Sequence, residues 1–302
     1  MLLGAGLLLM GCQKEIAGPE VGEKDLAALR ELIASEPLFT SDGMTLNDGD
    51  VVSFSSGSLG KVTTPIYPRG WGRKITSVSR DVVFDPVSDT VIVATITHTI
   101  TGEVKIAAKY SLSDTSITII TKPLSETTVR KVKFHRIRRT DDPKRNWQPR
   151  EVSGVKGGTQ NSQVVINRIV VTIGTDTVNI TDPTEYFMKL GRFGGREVPT
   201  FGSTQAIKVR VTITSTESDT DFVSLHRPGM MMGMNFRPAH IRMQLVQQTV
   251  VSSGFQRVYE HSWNGHFPGR HHVFVSALTR QSLFDDQAPF SSKVWGVPYI
   301  VQ

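Results

Sequence analysis

The chain has 302 residues, enough for two ordinary domains, and a net charge of +6 from 34 basic and 28 acidic side chains. One cysteine excludes an intramolecular disulfide and any multi-cysteine metal site, so the fold must be held by apolar cores. Beyond the N-terminus no run approaches the roughly 18 apolar residues of a membrane helix. The charge is uneven: residues 1–50 carry 3 basic against 9 acidic groups, residues 51–150 carry 17 against 8, and residues 151–302 carry 14 against 11.

The apolar stretch Leu2 to Met10 has the length of a signal-peptide core and is too short to span a bilayer. It runs into Leu9-Met10-Gly11-Cys12, which resembles the lipobox of bacterial lipoproteins. The resemblance implies that residues 1–11 are removed as a signal peptide and that Cys12 is lipidated. It places the protein in the bacterial envelope, and Gln13 after the cysteine favours the outer membrane. Residues 12–23, polar with two glycines and a proline, then read as a tether.

Leu26, Leu29, Leu32 and Ile33 recur at helical spacing and predict a helix over 24–35, stopped by Pro37. Residues 40–60, rich in Gly, Ser and Asp, read as a loop. Its Asp42, Asn47, Asp48 and Asp50 do not fit the alternating oxygen ligands of a calcium loop. From there the chain reads as strand. In 91–101, Ile92, Ala94, Ile96 and Ile100 face one way and the threonines the other. Strand runs follow at 103–110, 116–121 and 128–139, then a short run containing Trp147. A glycine-rich break at 154–162 reads as the joint between a helix-plus-sheet domain (24–157) and a second domain (163–302).

The second half reads as strands at 163–173, 176–181, 206–215, 221–226, 239–251, 255–262, 271–279 and 293–301, with Pro298 confining the last to a sheet edge. In 206–215, Ile207, Val209, Val211 and Ile213 alternate with Lys208, Arg210, Thr212 and Thr214, the mark of an antiparallel sheet with one wet face. The fold class expected is mainly β: an N-terminal α+β domain with one helix and a curved antiparallel sheet, then a β-sandwich. The sandwich resembles the immunoglobulin-like or fibronectin type, without the Cys…Trp…Cys spacing of antibody domains. The first half resembles the cone-shaped fold of the nuclear-transport-factor-two class, which would offer a curved-sheet pocket to an enzyme.

Chemistry-bearing residues are sparse. Met230, Met231, Met232 and Met234, flanked by His226 and His240, read as a flexible partner-contact loop. The alternative is a Cu(I) site of thioether and imidazole ligands. Glu260, His261, His266, His271 and His272 offer a zinc alternative if 255–262 and 271–279 form a hairpin. His98 reads as a core histidine. The basic run Arg130, Lys131, Lys133, Arg136, Arg138, Arg139, Lys144, Arg145 and Arg150 reads as a solvated strand face, polyanion binding being the alternative. There is no GxSxG, HExxH or phosphate-cradling glycine loop. The sequence thus points to a binding or structural envelope protein that needs no cofactor. Its expected contacts are the membrane through the anchor and a protein or glycan partner. An extracytoplasmic address disfavours nucleic acid.

Overall fold

The structure is a computed structural model that describes residues 21–36, 39, 52–53, 66–190, 198–227, 231–232, 235–236, 239–264 and 268–302. Cys12 and the loop over 40–60, apart from residues 52–53, lie outside the described residues. The protein is mainly β, with one long helix near the N-terminus and antiparallel sheets. In chain order come α1 (Glu23–Ser35), β1 (Val52–Ser53), β2 (Tyr67–Ser88), β3 (Val91–Lys109) and β4 (Thr118–Arg136). A short helix α2 (Pro143–Asn146) leads to β5 (Trp147–Ser153), β6 (Val155–Gly158), β7 (Val164–Ile173), β8 (Asp176–Ile180) and β9 (Phe187–Lys189). Then follow β10 (Thr200–Phe201), β11 (Ala206–Ser215), β12 (Phe222–Arg227), β13 (Met231–Met232), β14 (Asn235–Phe236) and β15 (Ala239–Arg242). The chain closes with β16 (Gln244–Val251), β17 (Gly254–Asn264), β18 (Gly269–Leu278), α3 (Arg280–Phe284) and β19 (Ser292–Val301).

Most strands join one twelve-stranded sheet whose main path is β1-β2-β3-β4-β6-β19-β18-β12-β15. A five-stranded sheet, β16-β17-β11-β7-β8, packs over part of it to make the sandwich core. That core follows from alternation: Ile207, Val209, Val211 and Ile213 of β11 are buried against Trp295, Val297 and Tyr299 of β19. The other side of β11 carries the polar residues, as the sequence pattern demands.

The long meander β2-β3-β4 has a second core. Leu29 and Ile33 of α1 are fully buried on Ile92, Ala94, Ile96, Val132 and Phe134. Asp25 fixes the helix there by accepting hydrogen bonds from Trp147 Nε1 (2.9 Å) and Arg136 (2.8 Å). α1 ends at Ser35, just before Pro37, as steric exclusion of helical backbone before proline requires.

Several boundaries differ from the sequence reading. Runs 116–121 and 128–139 are one strand, β4, because the inward pattern continues through the buried polar residues Lys122, Glu126, Thr128 and Arg130. β2 is hidden in the sequence because Pro68, Gly70, Gly72 and Pro86 punctuate it. It pairs with β1 only near Trp71 and carries register shifts at both prolines, so edge exposure accommodates them. The run 239–251 is broken at Met243 into β15 and β16, which enter different sheets.

Pro298 does not put β19 at an edge. β19 pairs with β18 throughout, with β6 at 293–296 and with β10 at 300–301. Pro298 falls in the gap between the last two, where no ladder bond is lost. The glycine-rich stretch 154–162 is not a plain linker: Val155–Gly158 of it form β6, and its exposed turn is at 160–161. β6 lies between β4 and β19, so sheet hydrogen bonds run straight across the division at 157/163. Ile100 of the first half, Val155, and Phe274 and Val294 of the second share one buried cluster.

Candidate functional site

Where the five-stranded sheet stops covering β19 and β6, the sandwich opens onto the outer face of β4. The opening is a cleft of about 660 Å³, within the range of small-molecule sites. Strand register sets its floor. Val129, Lys156 and Trp295 form one cross-strand row, and Thr127, Gly158 and Lys293 the next. Ser125, Thr159, Gln160, Val165 and Thr184 complete the wall.

Gly158 has φ +127°, and a Cβ there would lie 2.3 Å from the carbonyl oxygen of Ser292. Only glycine lets β6 pack this closely on β19, so the middle of the second row is buried backbone with no side chain. Lys156 pairs with Asp182 at 2.9 Å, both half exposed, an arrangement worth little in water. Burial alone would raise the Asp182 carboxyl, but hydrogen bonds from Lys156 and Thr184 hold it below the usual range. Lys293 is half-buried and donates to the Thr159 carbonyl at 3.0 Å. Desolvation, and then the neighbouring Lys156 ammonium, push its pKa down. Among the described residues no carboxylate lies within ion-pairing distance of it. The cleft can therefore recognise a negative group; among the described residues that line it, no nucleophile is hydrogen-bonded to a base.

The residues singled out in the sequence are placed elsewhere. β17 and β18 belong to different sheets, so the expected hairpin does not form and His261 and His271 do not face each other. His261 sits opposite Val209 and stacks on Trp263, while Glu260 is taken by Lys208 (2.7 Å) and Arg210 (3.4 Å). His271 is buried beside Tyr299. His226 and His240 are cross-strand neighbours, and His226 Nε2 lies 2.6 Å from Ser276 Oγ. Among the described residues no three His, Cys, Asp or Glu side chains converge on a metal-sized site. Met231 and Met232 form β13 opposite β14; Met230, Met234 and His266 lie outside the described residues. His98 is buried in the sheet, as its strand position implies.

The basic run is largely spent on carboxylates. Lys131 meets Glu185 at 2.5 Å, Lys133 meets Glu151 at 3.1 Å, Arg136 meets Asp25, Arg139 meets Asp89 at 2.8 Å, and Lys144 meets Glu31. That pairing offsets much of the run's positive charge. Lys122 is internal: its ammonium donates to the carbonyls of Ser282 (2.8 Å) and Asp285 (2.5 Å) at the end of α3, and burial lowers its pKa to about 8.

Sequence reasoning does not find Lys156 and Lys293. The signal it offers is Gly157-Gly158 inside a strand, which marks a close backbone approach.

Among the described residues no helix is long and apolar enough to cross a membrane. No protein-family model matches the chain, and no curated protein matches it. Among solved structures, a chain of extended synaptotagmin 2 comprising its SMP domain and two C2 domains aligns at 7% identity, covering 92% of this chain and 96% of that chain. Its TM-score of 0.11 is too low to carry any argument about fold or function.

Proposed function

We propose that this chain is a lipid-anchored protein of the bacterial envelope with a binding role, holding a β-sandwich off the membrane for a protein or glycan partner. The lipobox residues Leu9-Met10-Gly11-Cys12 support the address. The observation that carries the binding role is the seam cleft, a concavity in which Thr127, Lys156, Gln160 and Lys293 line hydrogen-bonded strands and the turn after β6. Anchoring on Cys12 followed by a polar tether leaves this scaffold free to meet its partner at the membrane surface.

Two measurements test the reading. Mass spectrometry of the mature N-terminus in a bacterial host should find acyl chains on Cys12 and no residues 1–11. Cys12→Ser should leave residues 1–11 attached; an unmodified Cys12 still preceded by Gly11 refutes the anchor. A photo-crosslinker placed at Gln160 in the cleft should capture an envelope component. The same group at Val250, 75% exposed on the far edge strand, should not. Equal capture from both positions, or none from Gln160, refutes a binding role for the cleft.

A further inference from the structure

We propose that the seam cleft is a site for an acidic saccharide unit, a uronic acid or a sugar phosphate, whose anionic group sits between Thr127 and the ammonium of Lys293. The inference deepens the binding role above and rests on it.

Charge is the first argument. The cleft contains two ammonium groups and, among the described residues, one carboxylate near them, Asp182, which is tied to Lys156. The Thr159 carbonyl occupies one of three N–H donors of Lys293 and neutralises none of its charge. A half-buried ammonium beside a like charge is unfavourable by itself. An anion placed there would regain the lost solvation and offset the repulsion.

Shape is the second. Strands lie about 4.8 Å apart, so Thr127 and Lys293, on either side of Gly158, are about 10 Å apart along the row. Gly158 itself is buried and adds no side chain, so a carboxylate or phosphate would sit at the mouth of the row, reached from one side by the Thr127 hydroxyl and from the other by the Lys293 ammonium. The third argument is the rest of the lining. The side chains of Ser125, Thr127 and Gln160 make no hydrogen bond among the described residues and are exposed at the cleft. Free hydroxyl and amide groups in a cavity of about 660 Å³ suit a hydroxylated ring better than a bare ion. The pairing of most of the basic run 130–150 with carboxylates argues against an extended polyanion.

The test is calorimetric titration of the full chain with D-glucuronate, glucose 1-phosphate, neutral glucose, inorganic phosphate and a triglutamate peptide. At least one acidic sugar should bind saturably, with glucose, phosphate and the peptide each weaker by about tenfold or more. Lys293→Met should lose about tenfold or more for that sugar while melting as the parent does. Lys208→Met, on the wet face of the five-stranded sheet, should change nothing. If Lys293→Met does not fold, the pair Thr127→Val and Gln160→Ala serves instead, with the same loss expected. The proposal is overturned if neither acidic sugar binds saturably, if the cleft variants bind undiminished, or if phosphate or the peptide binds as tightly as the sugar. Should the sugars fail while the Gln160 crosslinker still captures an envelope component, the binding role stands and the saccharide assignment falls.

Discussion

Removing the carboxylate of Asp221 should be among the most damaging single changes in the protein. Asp221 stands at the point where the chain leaves β11 in one sheet for β12 in the other. Its carboxylate receives Arg257 Nη1 at 2.5 Å and Ser215 Oγ at 2.9 Å, and both charged side chains are wholly shielded from solvent. Arg257 further donates to the carbonyls of Glu217 and Ser218, each at 2.8 Å, and to Gln248 at 2.7 Å. The pair thus clasps the crossover segment against β17. Asp221→Ala leaves a guanidinium at 0% exposure without a counter-charge, for an expected cost of about 3–5 kcal/mol. In a chain of this size that is a drop of roughly 5–8 °C in Tm. Urea unfolding followed by circular dichroism measures the cost. Arg257→Ala and the double variant complete a cycle whose coupling should be about 1–3 kcal/mol, because the second change removes the charge stranded by the first. A loss below about 1 kcal/mol for Asp221→Ala, or strict additivity, would refute the clasp.

Two further outcomes follow from the seam. Gly158→Ala should destabilise the chain by about 1–3 kcal/mol or more, since the new Cβ meets backbone at 2.3 Å in a conformation that L side chains avoid; unchanged urea unfolding would contradict the close approach of β6 to β19. Limited proteolysis should leave 155–158 uncut until global unfolding, because β6 is hydrogen-bonded on both sides; early cleavage there would restore a two-domain joint.

How much of the fold is legible in the sequence depends on whether a strand has one wet face. β11 is legible to the residue because Lys208 and Arg210 alternate with Val209 and Val211. β4 reads in fragments because Lys122, Glu126 and Arg130 sit on its inward face, where the pattern demands apolar residues. Glu126 is held there by Arg73 at 3.3 Å and by the Ser292 hydroxyl. β2 is hidden by prolines and glycines that an edge strand tolerates. The expected histidine hairpin fails for a topological reason: β17 and β18 are consecutive in sequence but belong to different sheets, a choice that local pattern does not encode. The seam cleft is illegible for the same reason. Lys156 and Lys293 are neighbours only because β6 inserts between β4 and β19, and neither residue stands in a motif.

The most direct test of the account is the titration of Lys293, read from its side-chain NMR signal in the full chain. Desolvation and the Lys156 ammonium should hold its pKa below the ordinary 10.5. The folded state therefore releases this proton more readily than the unfolded state. The contribution of Lys293 to stability should grow as pH rises from the folded value to the unfolded one, and fade as pH falls through the folded value. Lys156→Met should move the Lys293 pKa up by removing the like charge, and saturation with the acidic sugar that binds should move it up further by supplying a counter-charge. A Lys293 that titrates at the ordinary lysine value, and does not respond to the sugar, would contradict a desolvated cationic binding site at the seam.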